Sequence, residues 1–266
     1  MTENNQKTWV AEDPWKGLRR ITDARIALGR AGSSLPLAAW MAFKLDHARA
    51  RDAVHSPFQQ AQLARELQTA GMECVQLESE VAHRMEYLTR PDKGRRLSTA
   101  SRDQLKNKAS GCDICLVIGD GLSARAIHEN AREFTLLAVP LLHRAGFRIS
   151  PICLVRNARV AIGDEIGEIL GARLTVMLIG ERPGLSAPNS MGVYMTMHPR
   201  TGTTDERRNC ISNIRQGGLP PLEGVRKLGY LVEEAFKLGT SGVELKDRMT
   251  AGHLPFGISL ESLTGS

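Results

Sequence analysis

Aromatic side chains make up only 5% of the 266 residues, and that scarcity removes one class of partner at once. A single-stranded nucleic-acid surface needs stacking platforms along a segregated basic stripe. Here 35 lysines and arginines are interleaved with 29 aspartates and glutamates. The net charge of +6 therefore describes a solvated surface, or a face suited to an acidic partner. Long apolar runs are missing too. The longest, residues 136–142 and 174–179, fall far short of the ~18 residues a membrane helix requires. The stretch from Met1 to Lys7 is polar with no apolar run after it, which excludes a secretory signal there and predicts a loose tail. Cysteine is sparse and odd in number. The five (Cys74, Cys112, Cys115, Cys153, Cys210) fit a reducing cytosol rather than a disulfide framework. Also missing are the H-E-x-x-H zinc motif, the P-loop and the G-x-S-x-G elbow. Cys112-Asp113-Ile114-Cys115 has half a zinc site's spacing, but no Cys or His pair follows at a matching interval, so structural cysteine is the better reading. No catalytic engine is evident.

What is present is material for a core: 42% hydrophobic and 24% charged residues, in a length that suggests about two domains. From Trp9 to about Leu97 the pattern is helical. Pro36 opens a helix with Leu37, Trp40, Met41, Leu45 and Ala48 on one face, and Asp46, His47 and His55 as ion-pair or cap residues. Ser56-Pro57 starts another, with Leu63, Ala64, Leu67 and Ala70 inward and Gly71 as a stop. Val75 and Leu77 alternate in a short extended piece, and Ser79 caps a third helix that ends before Pro91. Arg25, Arg30, Arg49, Arg51, Arg84, Arg90, Arg95 and Arg96 form a solvated face, or a subunit contact.

After Leu97 strands alternate with helices. Residues 114–118 read as a buried strand, and Ser123 as the N-cap of a helix whose stripe runs through Phe134, Leu137, Ala138, Leu141, Leu142 and Ala145 to Gly146, kinked or split at Pro140. Residues 152–155 are the next strand, and Asp164 caps a short helix before Gly171. Then come the strand at 174–179, an edge strand at 193–197, and a last helix opened by Pro220-Pro221 and closed by Gly239. The expectation is an α/β fold: a Rossmann-like, doubly wound, mostly parallel sheet in residues 98–266, preceded by a small helical N-terminal domain in residues 1–97.

Two strand ends carry polar chemistry. Gly180-Glu181-Arg182-Pro183-Gly184 turns sharply after an apolar run, placing Glu181 where parallel sheets bind ligands. Gly119-Asp120-Gly121-Leu122-Ser123-Ala124 fits G-x-G-x-x-G/A and opens the alternative of an NADP-binding oxidoreductase, although the next strand ends at Arg156-Asn157 without a ribose-binding acid.

Several strings together resemble the small (light) subunit of ethanolamine ammonia-lyase: Ala-Arg-Ile-Ala-Leu-Gly-Arg-Ala-Gly at 24–32, Tyr-Leu-Thr-Arg-Pro-Asp-Lys-Gly-Arg-Arg-Leu at 87–97, Asp-Gly-Leu-Ser at 120–123, Ile-Gly-Glu-Ile-Leu-Gly-Ala at 166–172, Gly-Glu-Arg-Pro-Gly-Leu at 180–185, and Cys-Ile-Ser-Asn-Ile-Arg-Gln-Gly-Gly-Leu-Pro-Pro at 210–221. The likeness runs from about Trp9 to Gly242. It implies an adenosylcobalamin-dependent lyase that converts ethanolamine to acetaldehyde and ammonia by a radical route. A large (heavy) barrel subunit would hold substrate and adenosyl group, and this chain would close over the corrin as a non-catalytic partner. The resemblance carries cobalamin contacts onto Val160, just after the second strand, Glu181, and Cys210, in a loop past the edge strand. Arg159 and the turn at 120–123 are weaker candidates for the cofactor's nucleotide loop. With no Asp-x-His-x-x-Gly string, the resemblance implies that dimethylbenzimidazole stays on cobalt. The expected location is cytoplasmic; some relatives carry a longer leader associated with a bacterial microcompartment, mostly missing here, and residues 244–266 run past the family's usual end.

Overall fold

The structure, a computed structural model, describes residues 9–108 and 111–259. The tail expected at Met1 to Lys7 and the last part of the C-terminal extension lie outside the described residues. Six strands, Cys74–Glu78 (β1), Cys112–Gly119 (β2), Ile152–Arg156 (β3), Ala172–Gly180 (β4), Met191–Met197 (β5) and Arg208–Ile214 (β6), form one sheet in the order β1-β3-β2-β4-β5-β6. The first four pair in parallel, while β5 pairs antiparallel with β4 on one side and with β6 on the other.

Strands β2 and β4 are apolar almost throughout because helices cover the sheet on both faces. Ile114, Leu116 and Ile118 of β2 join one core with Leu63 and Leu67 of the helix Gln60–Thr69 (α2), Phe134 and Leu141 of Ala124–Arg144 (α5), and Val225 and Val232 of Pro221–Leu238 (α7). Cys115 and Val117 turn to the opposite core, with Leu105 of Thr99–Lys106 (α4) and Ile162 and Ile166 of Ile162–Ile169 (α6). The fold is thus a mixed α/β protein on a mostly parallel sheet. None of its helices among the described residues is long and apolar enough to cross a membrane.

β1 lies on the N-terminal side of the division expected after residue 97, yet it hydrogen-bonds to β3 in register from Cys74↔Ile152 to Glu78↔Arg156. Residues 58–97 therefore contribute Phe58, Leu63, Leu67, Val75, Leu77 and Leu97 to the cores of the rest of the chain.

Several local expectations change. The helix Leu37–His55 (α1) forms as the pattern predicts, but Leu37, Trp40, Met41 and Leu45 are exposed, and the side turned inward is the half-buried set Ala39, Phe43, Asp46 and Ala50 leading to buried Ala53. Asp46 pairs with Arg25 at 2.5 Å and Arg49 at 3.3 Å. The third helix, Arg84–Thr89 (α3), is capped by His83 instead of Ser79, whose hydroxyl donates to the Asn157 carbonyl at 3.0 Å. Arg84 is no solvated residue: it donates to the Val54 carbonyl at 2.8 Å and covers the Tyr87 ring at 4.5 Å. α5 runs unbroken through Pro140, its buried stripe holding it against the sheet where the lost amide would otherwise weaken it. Asp164 lies inside the first turn of α6, with Ala161 at the cap position, because its carboxylate is drawn to Arg208. Finally, β5 is not an edge: β6 pairs outside it, and Cys210 sits on that strand, not in a loop.

Candidate functional site

The chain changes its direction of travel across the sheet at β2, with β3 on one side and β4 on the other. Ligands of parallel sheets bind beyond the carboxyl ends of strands at such a point. Here the chain's own backbone fills that position. A Cβ on Gly121 would stand 2.2 Å from the Gly180 carbonyl oxygen, and one on Gly180 would stand 2.1 Å from that of Ser123. The Leu122 amide donates to the Gly180 carbonyl at 2.9 Å. Ser123 caps α5 as expected, accepting from the Ala126 amide, and its hydroxyl donates to the Pro188 carbonyl at 2.9 Å. The glycines at 119–124 thus permit close contact between turn and strand, which accounts for the motif without a pyrophosphate. Asp120 is buried in the same knot, accepting from the Ala158 amide at 2.9 Å and from Arg84 at 3.3 Å. Desolvation pushes its carboxyl up to about 6, against the opposing pull of Arg84 and the amides.

The open polar surface lies further along the sheet. β4 ends at Gly180, and Glu181 turns over the start of β5, its amide donating to the Ser190 carbonyl at 2.9 Å. Its carboxylate accepts from the Ser212 hydroxyl at 2.5 Å, from the Asn213 amide at 3.3 Å and from the Ser190 hydroxyl. Gly192 leaves the necessary room, since a Cβ there would meet Glu181 Oε1 at 2.8 Å. Glu181 is thus a fixed acceptor tying the start of β5 to the end of β6.

Cys210 is exposed and faces Tyr194 across the β5–β6 ladder, and Tyr194 in turn faces Met177 of β4. Desolvation raises the Cys210 thiol above its ordinary value, a hydrogen bond with Tyr194 opposes this, and the charge of Glu181 adds to the rise. Tyr194 is raised as well, first by desolvation and then by Cys210 and Glu181. The Glu181 carboxylate is thus held by Ser212 and Asn213 on the same strand as Cys210, which stands two residues before Ser212.

Val160 follows β3 and packs, half-buried, on the same side of the sheet as Tyr194. It lines a cleft of about 750 Å³ together with Arg95, Arg96, Arg159, Asp205 and Arg208. Glu181 and Cys210 do not line this cleft. The connection runs along β6, where Arg208 and Cys210 are two residues apart and so share a face. Arg208 is buried, donates to Asp164, to Asp205 at 2.6 Å and to the Thr203 carbonyl at 2.7 Å, and keeps a buried Nε with no partner. Burial raises the Asp164 carboxyl despite this pairing. Arg159 donates to the Tyr87 carbonyl at 2.9 Å and stacks 4.2 Å above that ring, its Nε likewise buried and unpartnered.

Tyr194, Arg208 and Ser212 are parts of this surface that the sequence pattern did not reveal. Arg208, Cys210 and Ser212 do alternate, but the apolar partners Ile211 and Ile214 stand three apart, because the β5–β6 pairing is irregular near Met191 and Val193 and Asn213 adopts φ +63. Among the described residues no group of three or more His, Cys, Asp or Glu side chains is placed to hold a metal ion. The surface offers acceptors, hydroxyls, a thiol and guanidiniums, groups that can form hydrogen bonds with a polar ligand.

Comparison with known proteins agrees with the strings quoted above. Residues 12–246 match the family model "Ethanolamine ammonia-lyase light chain (EutC)". The ethanolamine ammonia-lyase small subunit of Azotobacter vinelandii is 50% identical over 249 residues, covering 92% of each chain. That of Xanthomonas campestris pv. campestris is 51% identical over 244 residues, covering 90% of each, and that of Pseudomonas fluorescens (strain SBW25) is 48% identical over 242 residues, covering 90% of this chain and 87% of its own. With the match spanning nearly the whole chain, the protein belongs to the ethanolamine ammonia-lyase light-chain family.

Proposed function

We propose that this chain is the cofactor-holding, non-catalytic subunit of an adenosylcobalamin-dependent ethanolamine ammonia-lyase, working in the cytoplasm in a hetero-oligomer with the large (heavy) subunit. The observation that carries the reading is that Glu181 is bonded to Ser212, two residues along β6 from Cys210, while Val160 packs on the same side of the sheet as Tyr194, the residue paired with Cys210. When bound, adenosylcobalamin supplies the radical chemistry that turns ethanolamine into acetaldehyde and ammonia, and the protein supplies position.

The residues present suit that task. A carboxylate has about four lone-pair sites. Ser190, Ser212 and the Asn213 amide occupy three of those on Glu181, so the group is locked in place with capacity for one more donor. The corrin periphery is rich in amide N–H groups, and a fixed acceptor at Glu181 would set its orientation. Cys210, its thiol raised and therefore protonated near neutral pH, serves as a packing contact and not as a nucleophile. Val160 offers an apolar contact at the mouth of the cleft, with Arg159 beside it. We read the domain as Rossmann-like, with ligand binding moved from the closed β2–β4 crevice to the β4–β6 face.

The test is Glu181→Ala in the complex with the large subunit, titrated with cobalamin and followed in the visible corrin spectrum. A charge-assisted hydrogen bond lost at this site should weaken binding roughly ten- to a hundredfold. The circular dichroism of the isolated chain and its assembly should not change. Unaltered affinity in the assembled complex would remove Glu181 from the binding surface.

A further inference from the structure

The N-terminal arm is ordered but has almost no interior. From residue 9 to residue 52 only Pro36 is buried; Ala53 is the first buried hydrophobic residue of the usual kind. Trp15 is 68% exposed, Ile21 81%, Leu37 72% and Met41 60%. These residues are not scattered. Leu37, Met41 and Leu45 follow at spacings of four along the outer side of α1, and Trp40 stands next to them, 44% exposed. Of the 15 large hydrophobic side chains exposed among the described residues, 11 lie between Trp9 and Leu45, so the apolar surface is concentrated on one segment. Contiguous apolar patches on this scale mark docking sites rather than free surface.

The arm also has a definite location. Arg19, Thr22, Asp23, Arg25 and Asp46 line a depression together with Ser186, which belongs to the loop that leaves β4 through Glu181. The inner side of the arm, Ala39, Ala42 and Asp46, thus faces the loop that follows Glu181, and the exposed stripe of α1 lies on the opposite side of the helix. Between residues 9 and 55 there are eight lysines and arginines against five acids, so the arm as a whole carries a net positive charge.

We propose that the exposed stripe of α1, Leu37, Trp40, Met41 and Leu45, together with Trp15 and Ile21, docks into an apolar groove of the large subunit whose rim carries carboxylates. The arm clamps that subunit beside the Glu181 loop. This rests on the reading of the chain as the smaller subunit of a two-subunit lyase. A second copy of this chain is the competing occupant, and it fits less well: a copy shares the arm's net positive charge, and like charges oppose the pairing.

The experiment uses the full chain, wild type and Met41→Glu/Leu45→Glu, each mixed with the large subunit and examined by sedimentation velocity. Both positions are exposed, so the double variant should keep its circular dichroism and melting temperature. Its assembly should weaken roughly a hundredfold or more, the scale expected from two lost apolar anchors. A folded double variant that assembles as tightly as wild type overturns the docking face and leaves the subunit reading intact. Wild type that does not bind the large subunit at all overturns both. A concentration-dependent dimer of the isolated wild type, abolished in the double variant while binding to the large subunit persists, assigns the face to self-association and likewise overturns the proposal.

Discussion

Asp120 shows how much a single side chain's meaning depends on its surroundings. In a glycine-rich turn after a strand it reads as one element of a phosphate-binding loop. In the folded chain it is 2% exposed, clasped by the Ala158 amide and Arg84, and its carboxyl is pushed from 3.8 up to about 6. The unfolded chain therefore binds this proton more weakly than the native protein between those two values. The stability contributed by Asp120 is full below about pH 4 and declines as pH rises through 6. A shift of this size corresponds to about 3 kcal/mol between the protonation states. Wild type should accordingly gain stability relative to Asp120→Asn as the pH falls from 7 to 4. Denaturant unfolding of both proteins across that range checks it, and a constant difference between the two would show that the carboxyl titrates normally.

At the scale of elements, the contact between the β2 turn and the end of β4 holds the centre of the sheet. Gly180 lies against two carbonyl oxygens, and a Cβ there would approach Ser123 O at 2.1 Å and Asp120 O at 2.5 Å. Backbone atoms cannot swing aside as the end of a flexible side chain can. Gly180→Ala should therefore cost roughly 3 kcal/mol, at the upper end for overpacking, and lower the melting temperature by about 6–12 °C. Gly17→Ala is the matching control, since a Cβ there meets nothing within 4 Å and Tm should stay put. Equal melting temperatures for the two variants would mean that the crevice can open, and would restore the turn as a candidate ligand site. α6 illustrates a second tie between elements: Glu165 accepts from the Leu97 amide at 2.8 Å and from Arg102 at 2.9 Å, while Asp164 holds Arg208 of β6. One short helix thus joins α4, the sheet edge and the cleft that holds Val160.

Across the whole molecule, stability is distributed unevenly. The two cores on either side of β2 and β4 bury nearly every side chain of those strands, whereas the arm from residue 9 to residue 52 buries one proline. Regions with few buried apolar contacts open at low free energy. In the isolated chain, amides of α1 should exchange with deuterium long before those of β2 and β4, and on assembly with the large subunit α1 should become protected. Exchange from α1 as slow as that from β2 in the free chain would show that the arm is stabilised internally.

Much of the architecture was legible along the chain because local chemistry dictates it. Continuous apolar runs mark β2 and β4, Ser123 and Gly146 delimit α5, and Pro221 and Gly239 delimit α7. Those signals act within a few residues and carry no information about neighbours in space. The α1 stripe is a clear instance: its spacing announces an amphipathic helix, but which side faces this chain and which awaits another is decided by what packs nearby. The site is similar. Glu181 stood out as a carboxylate at a strand end, while Tyr194, Arg208 and Ser212 acquired their place only when β5 and β6 paired antiparallel beyond it, through a bulge that breaks the alternation. Sequence alone determined the family and most of the elements, α4 and β6 excepted, because these are written in residue order. The closed crevice, the uncovered β4–β6 face and the outward turn of α1 were decided by tertiary packing, since each depends on contacts between residues far apart in the chain.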